Sequence, residues 1–270
     1  MLLLWREAPC LPTMRIDGKV VLITGASEGI GAACAAEFAA SGAKLSLTAR
    51  NAEKLRAAAP AGAFTVTGDL TNEAGRREIV GRTLDRYGAI DILINNAGAG
   101  TYEPSWEMPL EDARYLMELN FFAPLALTQL VVPGMRLRKD GMIVNVGSIG
   151  GKVTLPWMTV YSATKYALGS LTEGQRMELR RDGIRTMIVC PGYVRTRFQQ
   201  NVLRGATPDK VRDARRYAIT AEACARSIRH GVEREARTVV APRAAWLLVI
   251  AMRLFPSLVE ARMAEMNGTA

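Results

Sequence analysis

From about residue 19 to residue 191 the chain alternates short apolar runs with segments of helical period, and this alternation restricts the fold more than any other feature. Lys19–Thr24 (KVVLIT), Lys44–Ala49, Ala63–Thr67, Ile90–Asn95, Gly141–Val146 and Arg185–Cys190 read as strands. Helices are expected between them, near 29–41, 51–59, 72–87, 109–137 and 157–181; in the first, Ile30, Cys34 and Phe38 recur every four residues. Strands separated by helices need crossover connections, which produce a parallel sheet covered on both faces. After Pro191 the pattern loosens. A polar, basic loop covers about 192–218, a helix runs from about Ala221 to Arg234, and Thr238–Val240 reads as a short last strand. An apolar helical tail follows over about 243–265, interrupted by Pro256. No repeat or linker divides the 270 residues. The expectation is one doubly wound α/β domain over 14–270, with a mostly parallel seven-stranded sheet, after an extension at 1–13.

Charge is distributed unevenly along this frame. Residues 1–175 carry 17 basic and 17 acidic side chains, and residues 176–270 carry 18 and 9, so the net +9 resides in the last third. Such a region either attracts anionic partners or forms an arginine-rich solvated face. It lacks interleaved aromatics and any nucleic-acid reader motif, so no nucleic-acid partner is expected. Cys10, Cys34, Cys190 and Cys224 form no CxxC pair. Cys34 and Cys190 lie in apolar runs and read as buried free thiols in a reducing, cytoplasmic compartment. No metal site is expected. Met1–Trp5 is too short and lacks the leading basic region of a signal peptide, and Met14 is a second plausible start. Ala244–Met252 falls below the ~20 residues needed to cross a bilayer, so no membrane crossing is expected.

The first strand enters Thr24-Gly25-Ala26-Ser27-Glu28-Gly29-Ile30-Gly31 and then directly a helix. Glycines at such a turn let backbone N–H groups approach a diphosphate, to which the helix N-terminus adds positive potential. The spacing departs from G-x-G-x-x-G, and a tight turn without ligand is the plainer alternative. The same residues also match G-x-S-x-G, a nucleophile elbow with Ser27 as nucleophile. The chain's single histidine, His230, lies at the end of a basic helix, however, where it reads as a helix-end cation. About twenty residues beyond the glycine loop stand Ala49 and Arg50, with no acidic neighbour. A carboxylate there would bind a ribose 2′-hydroxyl, whereas an arginine accommodates a 2′-phosphate, so NADP(H) is favoured unless Arg50 merely caps a strand end. Asp69, followed by Leu70 after the third strand, could accept a hydrogen bond from an adenine amino group.

The fourth strand ends at Asn95-Asn96-Ala97-Gly98, which could close the floor beside the loop. Ser148 follows the fifth strand at the sheet's carboxyl edge, where ligands sit in open α/β folds. Tyr161 and Lys165, at i and i+4 on a long helix, share one face.

Thr24-Gly25-x-x-x-Gly29-Ile30-Gly31, Asn95-Asn96-Ala97-Gly98, Asn120, Ser148, Tyr161-x-x-x-Lys165 and Pro191-Gly192 together resemble the short-chain dehydrogenase/reductase family over roughly residues 17–200. The resemblance implies a Rossmann-fold oxidoreductase that moves a hydride between a nicotinamide and a carbonyl or carbinol carbon. Tyr161 would be the acid or base at the substrate oxygen, with its ordinary pKa of about 10 lowered by the Lys165 cation. Ser148 would donate to that oxygen as charge develops. The resemblance places Asn120 in a proton relay toward Lys165; an amide that merely satisfies helix backbone is the alternative. It also carries Pro191, Gly192, Val194 and Thr196 to the nicotinamide side of the coenzyme, makes 192–218 the substrate loop, and implies a homodimer or homotetramer through the 109–137 and 157–181 helices. A silent coenzyme-binding regulator of the same fold is the non-enzymatic alternative.

Val153–Met158 lies between Ser148 and Tyr161, and Tyr193, Phe198, Val202 and Leu203 are expected on the opposite wall. Both sets are apolar and favour a hydrophobic ketone or alcohol. The tail from Ala244 to Phe255 is read as a lid, a dimer contact or a helix lying on a membrane, the last in line with peripheral contact at the inner face.

Overall fold

A computed structural model describes residues 14–205 and 218–267. The N-terminal extension, Cys10 and the later part of the substrate loop lie outside the described residues. Seven strands form one sheet in the order β3-β2-β1-β4-β5-β6-β9, and every pairing is parallel. They are β1 (Val20–Thr24), β2 (Lys44–Ala49), β3 (Phe64–Thr67), β4 (Ile92–Asn95), β5 (Gly141–Val146), β6 (Ile184–Pro191) and β9 (Thr238–Ala241). Each expected strand is present, with ends displaced by at most two residues. The sequence pattern did not reveal β7 (Val194–Arg195) and β8 (Ile219–Thr220), a two-residue parallel pair with Val194 opposite Ile219. Two residues are too few to carry an alternating pattern.

Successive strand side chains point to opposite faces, and the core divides accordingly. Val21, Ile23, Leu47 and Ile94 pack with Cys34 and Phe38 of α1 (Gly29–Ala40) and with Cys224 and Ile228 of α7 (Ala221–Glu233). On the other face Leu22, Leu93 and Ile143 meet Ile79 of α3 (Glu73–Tyr87) and Leu127 and Met135 of α5 (Ala123–Arg138). The helices begin where side chains cap them. Asn51 accepts from Lys54 N–H at the start of α2 (Ala52–Ala58), Asn72 from Gly75 N–H before α3, and Thr220 from Ala223 N–H before α7. Gly88, at φ 76°, ends α3 in the left-handed conformation that glycine adopts without a Cβ penalty.

Two expected helices are subdivided. The 109–137 segment is α4 (Leu110–Met117), a π turn at Glu118–Phe122, and α5. This 29-residue run is long and apolar enough, by length and composition, to cross a membrane, which the sequence reading overlooked. Here Leu116, Asn120, Ala123, Leu127 and Met135 are buried and α5 packs against the sheet, so its apolar content serves the core. The C-terminal tail is two helices, α8 (Ala245–Leu254) and α9 (Pro256–Asn267). Pro256 starts the second, a first-turn position where its missing N–H costs nothing. The 157–181 helix is α6 (Thr159–Glu178). Cys34, Cys190 and Cys224 are buried and unpaired, as expected for the first two.

Candidate active site

Strands β1 and β4 end side by side, and a small hydrogen-bond knot joins them. Thr24 Oγ1 accepts from Asn96 N–H and Ala97 N–H, each at 3.0 Å. Asn96 Nδ2 donates to Thr24 O at 2.9 Å and Gly25 O at 3.1 Å. The glycine loop leaves β1 over this floor. Gly25 is at φ 64°, and a Cβ there would lie 2.9 Å from Ala97 Cα. A Cβ on Gly31 would lie 2.2 Å from Gly25 O, so the first turn of α1 closes on the loop only without a side chain. Gly31 thus shapes the loop without lining the cleft. Glu28 precedes the helix and makes no side-chain cap; its Oε1 accepts from Asn201 Nδ2 at 2.7 Å.

The cleft above the carboxyl edge has a volume of about 980 Å³ and is lined by Gly25, Ser27, Glu28, Gly29 and Ile30 from the loop and Asn96, Ala97 and Gly98 from the floor. Arg50, Asp69 and Leu70 line one end, and Pro191, Gly192, Val194 and Thr196 the other. Arg50 donates to the Tyr115 hydroxyl at 3.0 Å, and Asp69 Oδ1 accepts from Thr71 N–H and Thr71 Oγ1 at 2.9 Å. Lys54 also lines the Arg50 end; it stands four residues after Arg50, a spacing that could have revealed it.

Ser148, Tyr161 and Lys165 converge on the same cleft, all buried. Ser148 leaves β5, caps the short turn Ile149–Gly151 by accepting from Gly150 N–H at 3.0 Å, and acts on the Tyr161 phenol to lower its pKa. Lys165 Nζ donates to Val146 O at 3.0 Å and lies 5.7 Å from the Tyr161 ring centroid. The protonation balance departs from the sequence expectation. Burial pushes the Tyr161 phenol up to about 12, against a smaller downward pull from the Ser148 hydrogen bond. Burial also draws the Lys165 ammonium down to about 8. Burial of the phenolate outweighs the pull that lowers it, and it is the largest single influence on the phenol in this cleft.

Asn120 does not line the cleft. Its Oδ1 accepts from Ala99 N–H at 3.0 Å, and its Nδ2 donates to Ala99 O at 2.9 Å and Thr164 Oγ1 at 3.1 Å. Its partners are thus the loop residue Ala99 and the Thr164 hydroxyl rather than helix backbone, and the side chain is buried at the centre of the π turn.

Of the expected walls, Leu155, Pro156 and Met158 line the cleft opposite Tyr193, Phe198, Val202 and Leu203. Val153 is instead in the core, and Trp157, at φ 63°, stacks 6.2 Å from Trp106. Tyr102, Leu248 and Met263 were missed as lining residues; the first lies on a loop and the others on the tail, without a local motif. Residues 197–205 form a strap over the cleft. Besides the Glu28 contact, Leu203 N–H donates to Gly100 O at 2.9 Å, Tyr102 N–H to Arg204 O at 2.9 Å, and Arg204 pairs with Asp112.

Ser27 lines the cleft without the chain's single histidine. His230 does not line the cleft; it sits in the last turn of α7 beside Glu233, which settles against the nucleophile-elbow reading.

Residues 19–206 match the profile of the short chain dehydrogenase family. A dehydrogenase/reductase SDR family protein 7-like from Anopheles gambiae is 32% identical over 275 residues, covering 94% of this chain and 86% of that one. Dehydrogenase/reductase SDR family member 7B from Mus musculus is 36% identical over 198 residues, 70% of this chain and 61% of the mouse protein, so less than two thirds of that relative is spanned. Among solved structures, a short chain dehydrogenase/reductase from Burkholderia phymatum in complex with NAD gives a TM-score of 0.81 at 26% identity, covering 91% of this chain and 96% of that one. A short chain dehydrogenase from Burkholderia cenocepacia J2315 in complex with NADP gives 0.77 at 31% identity, covering 93% and 99%. Fold, cleft and likeness define a Rossmann-type oxidoreductase with a nicotinamide coenzyme. The chain belongs to the short-chain dehydrogenase/reductase family.

Proposed function

We propose that this chain is an NADP(H)-dependent reductase of apolar ketones, reversible toward the secondary alcohols. The observation that carries the reading is the convergence of Ser148, Tyr161 and Lys165 beside a glycine cradle in one apolar-walled cleft. The backbone of Gly25, Gly29 and the first turn of α1 suits a diphosphate, and the missing Cβ of Gly31 lets that turn close on the loop. When bound, the nicotinamide supplies or accepts the hydride.

Tyr161 is the proposed proton donor to the substrate oxygen. With its phenol held up at about 12 it carries its proton throughout the neutral range, as a donor to a ketone oxygen must. Ser148 would hold the same oxygen by donating its hydroxyl hydrogen, and Lys165, still mostly cationic at pH 7, would stabilise the charge left on Tyr161. Tyr161→Phe should abolish NADPH oxidation in a screen over steroids, quinones, β-ketoacyl thioesters and aryl ketones. NADPH fluorescence on binding should persist. Normal turnover by this variant would refute the proton role.

Coenzyme preference rests on Arg50 and Lys54 at the cleft end where β2 closes on Ala49 rather than on a carboxylate. Two cations suit a 2′-phosphate. Arg50→Ala should weaken NADPH binding by roughly tenfold or more and leave NADH within about twofold, measured by fluorescence titration. Equal losses would contradict the assignment. The same reading holds the protein to be cytoplasmic, supported by three buried free thiols, and a homodimer or homotetramer, supported by half-exposed Phe122 and Tyr166 beside α5 and on α6.

A further inference from the structure

Helices α8 and α9 pack inward through a few residues and leave the rest of their apolar surface uncovered. Val249 is buried against the core cluster that holds Ile149, Leu168 and Val240, with Leu248 and Met252 packed beside it. On the outer side Leu247 is 70% exposed, Ile250 49% and Leu254 65%, followed by Phe255 at 61% and Leu258 at 71%. Leu247, Ile250 and Leu254 are spaced by three and four residues, so they form one stripe along α8, with the exposed Phe255 and Leu258 following it in the chain. Scattered exposed leucines are ordinary; a stripe of three on one helix face with two more large apolar residues directly after it marks a docking surface.

The charges around the stripe indicate what docks. No aspartate or glutamate occurs from Ala236 to Val259, whereas Arg237, Arg243 and Arg253 all do. Arg243 and Arg253 are exposed at the two ends of α8. A second copy docked through α8 would bring the same acid-free helix, with cation facing cation; the carboxylates of Glu260 and Glu265 come only later, on α9. An apolar stripe ending in arginines, with Trp246 partly exposed beside it, instead matches a bilayer interface bearing anionic headgroups. The surface also adjoins the cleft, since Leu248 of α8 and Met263 of α9 line both it and the helices' inner side.

We propose that α8 and α9 rest on the surface of an anionic bilayer, with the stripe in the acyl boundary and Arg243 and Arg253 at the phosphates. The cleft mouth then faces the lipid. That this lets an apolar ketone enter from the membrane rests on the function proposed above; the docking itself does not.

Vesicle flotation tests the surface without any turnover measurement. The full chain is mixed with phosphatidylcholine vesicles or with vesicles containing about one third phosphatidylglycerol, at low and high salt. Flotation with the anionic vesicles, weakened by salt, is expected. Leu247→Asp with Phe255→Asp, both on exposed positions, should reduce it roughly tenfold or more. Arg243→Glu with Arg253→Glu should remove the preference for anionic lipid. The proposal is overturned if the chain floats with neither vesicle, floats equally with both, or keeps its anionic flotation in the Leu247/Phe255 variant. It is equally overturned if that variant lowers the oligomeric mass while no flotation is seen, which would make the stripe a contact between copies.

Discussion

At the scale of single residues, the site contains two buried titratable groups that respond to pH in opposite ways. Burial lowers Lys165 from its ordinary 10.5 to about 8, so between those values the unfolded chain holds a proton that the folded chain has released. Its contribution to stability is therefore present above 10.5 and is lost as pH falls through 8. Tyr161, raised to about 12, contributes fully below 10 and loses its contribution as pH climbs through 12. Comparison with Lys165→Met isolates the first effect. Urea unfolding of both proteins should show the parent gaining about 3 kcal/mol on the variant between pH 7.5 and 10.5. A constant difference would mean that the ammonium is not desolvated in the way its surroundings require.

Elements hold these residues in place, and the π turn between α4 and α5 is the clearest case. Its extra residue turns the Asn120 amide toward Ala99 and Thr164, fastening the chain after β4 to α6. Gly98 sits between the two, since a Cβ there would lie 3.0 Å from Asn120 Oδ1 and 3.4 Å from Lys165 Nζ. Asn120→Ala would take the side-chain partner from the part-buried N–H and C=O of Ala99, at a cost of about 1 kcal/mol or more. Thermal unfolding should show a Tm lower by several degrees, and kcat should fall because Lys165 loses its neighbour's support. A variant with unchanged Tm would show that the turn does not depend on the amide.

Across the whole molecule, the parts that were legible in the sequence are those with a period or a punctuating residue. Val21, Leu22 and Ile23 announce a strand buried on both faces, and Tyr161 and Lys165 lie one helical turn apart, so the sheet and the reacting side chains could both be read. What stayed hidden arises from contact between distant segments. Nothing local marks Tyr102, Tyr115, Leu248 or Met263 as lining the cleft, and the π turn has the same apolar period as the helices that flank it. The effect of burial on the phenol is equally hidden, because one neighbour can be read from spacing, whereas desolvation is a sum over every surrounding atom. The half-exposed Phe122 belongs to this scale too. Phe122→Asp should move the sedimenting mass from a dimer or tetramer to a single chain, and an unchanged mass would place the contact elsewhere.

The hydrogen bond from Asn201 to Glu28 joins the strap that walls the reaction chamber to the turn that cradles the dinucleotide. Neither can swing aside without disturbing the other. Under the function proposed above, the substrate wall and the coenzyme turn would open together, and the pace at which spent coenzyme departs would follow how firmly the strap is fastened.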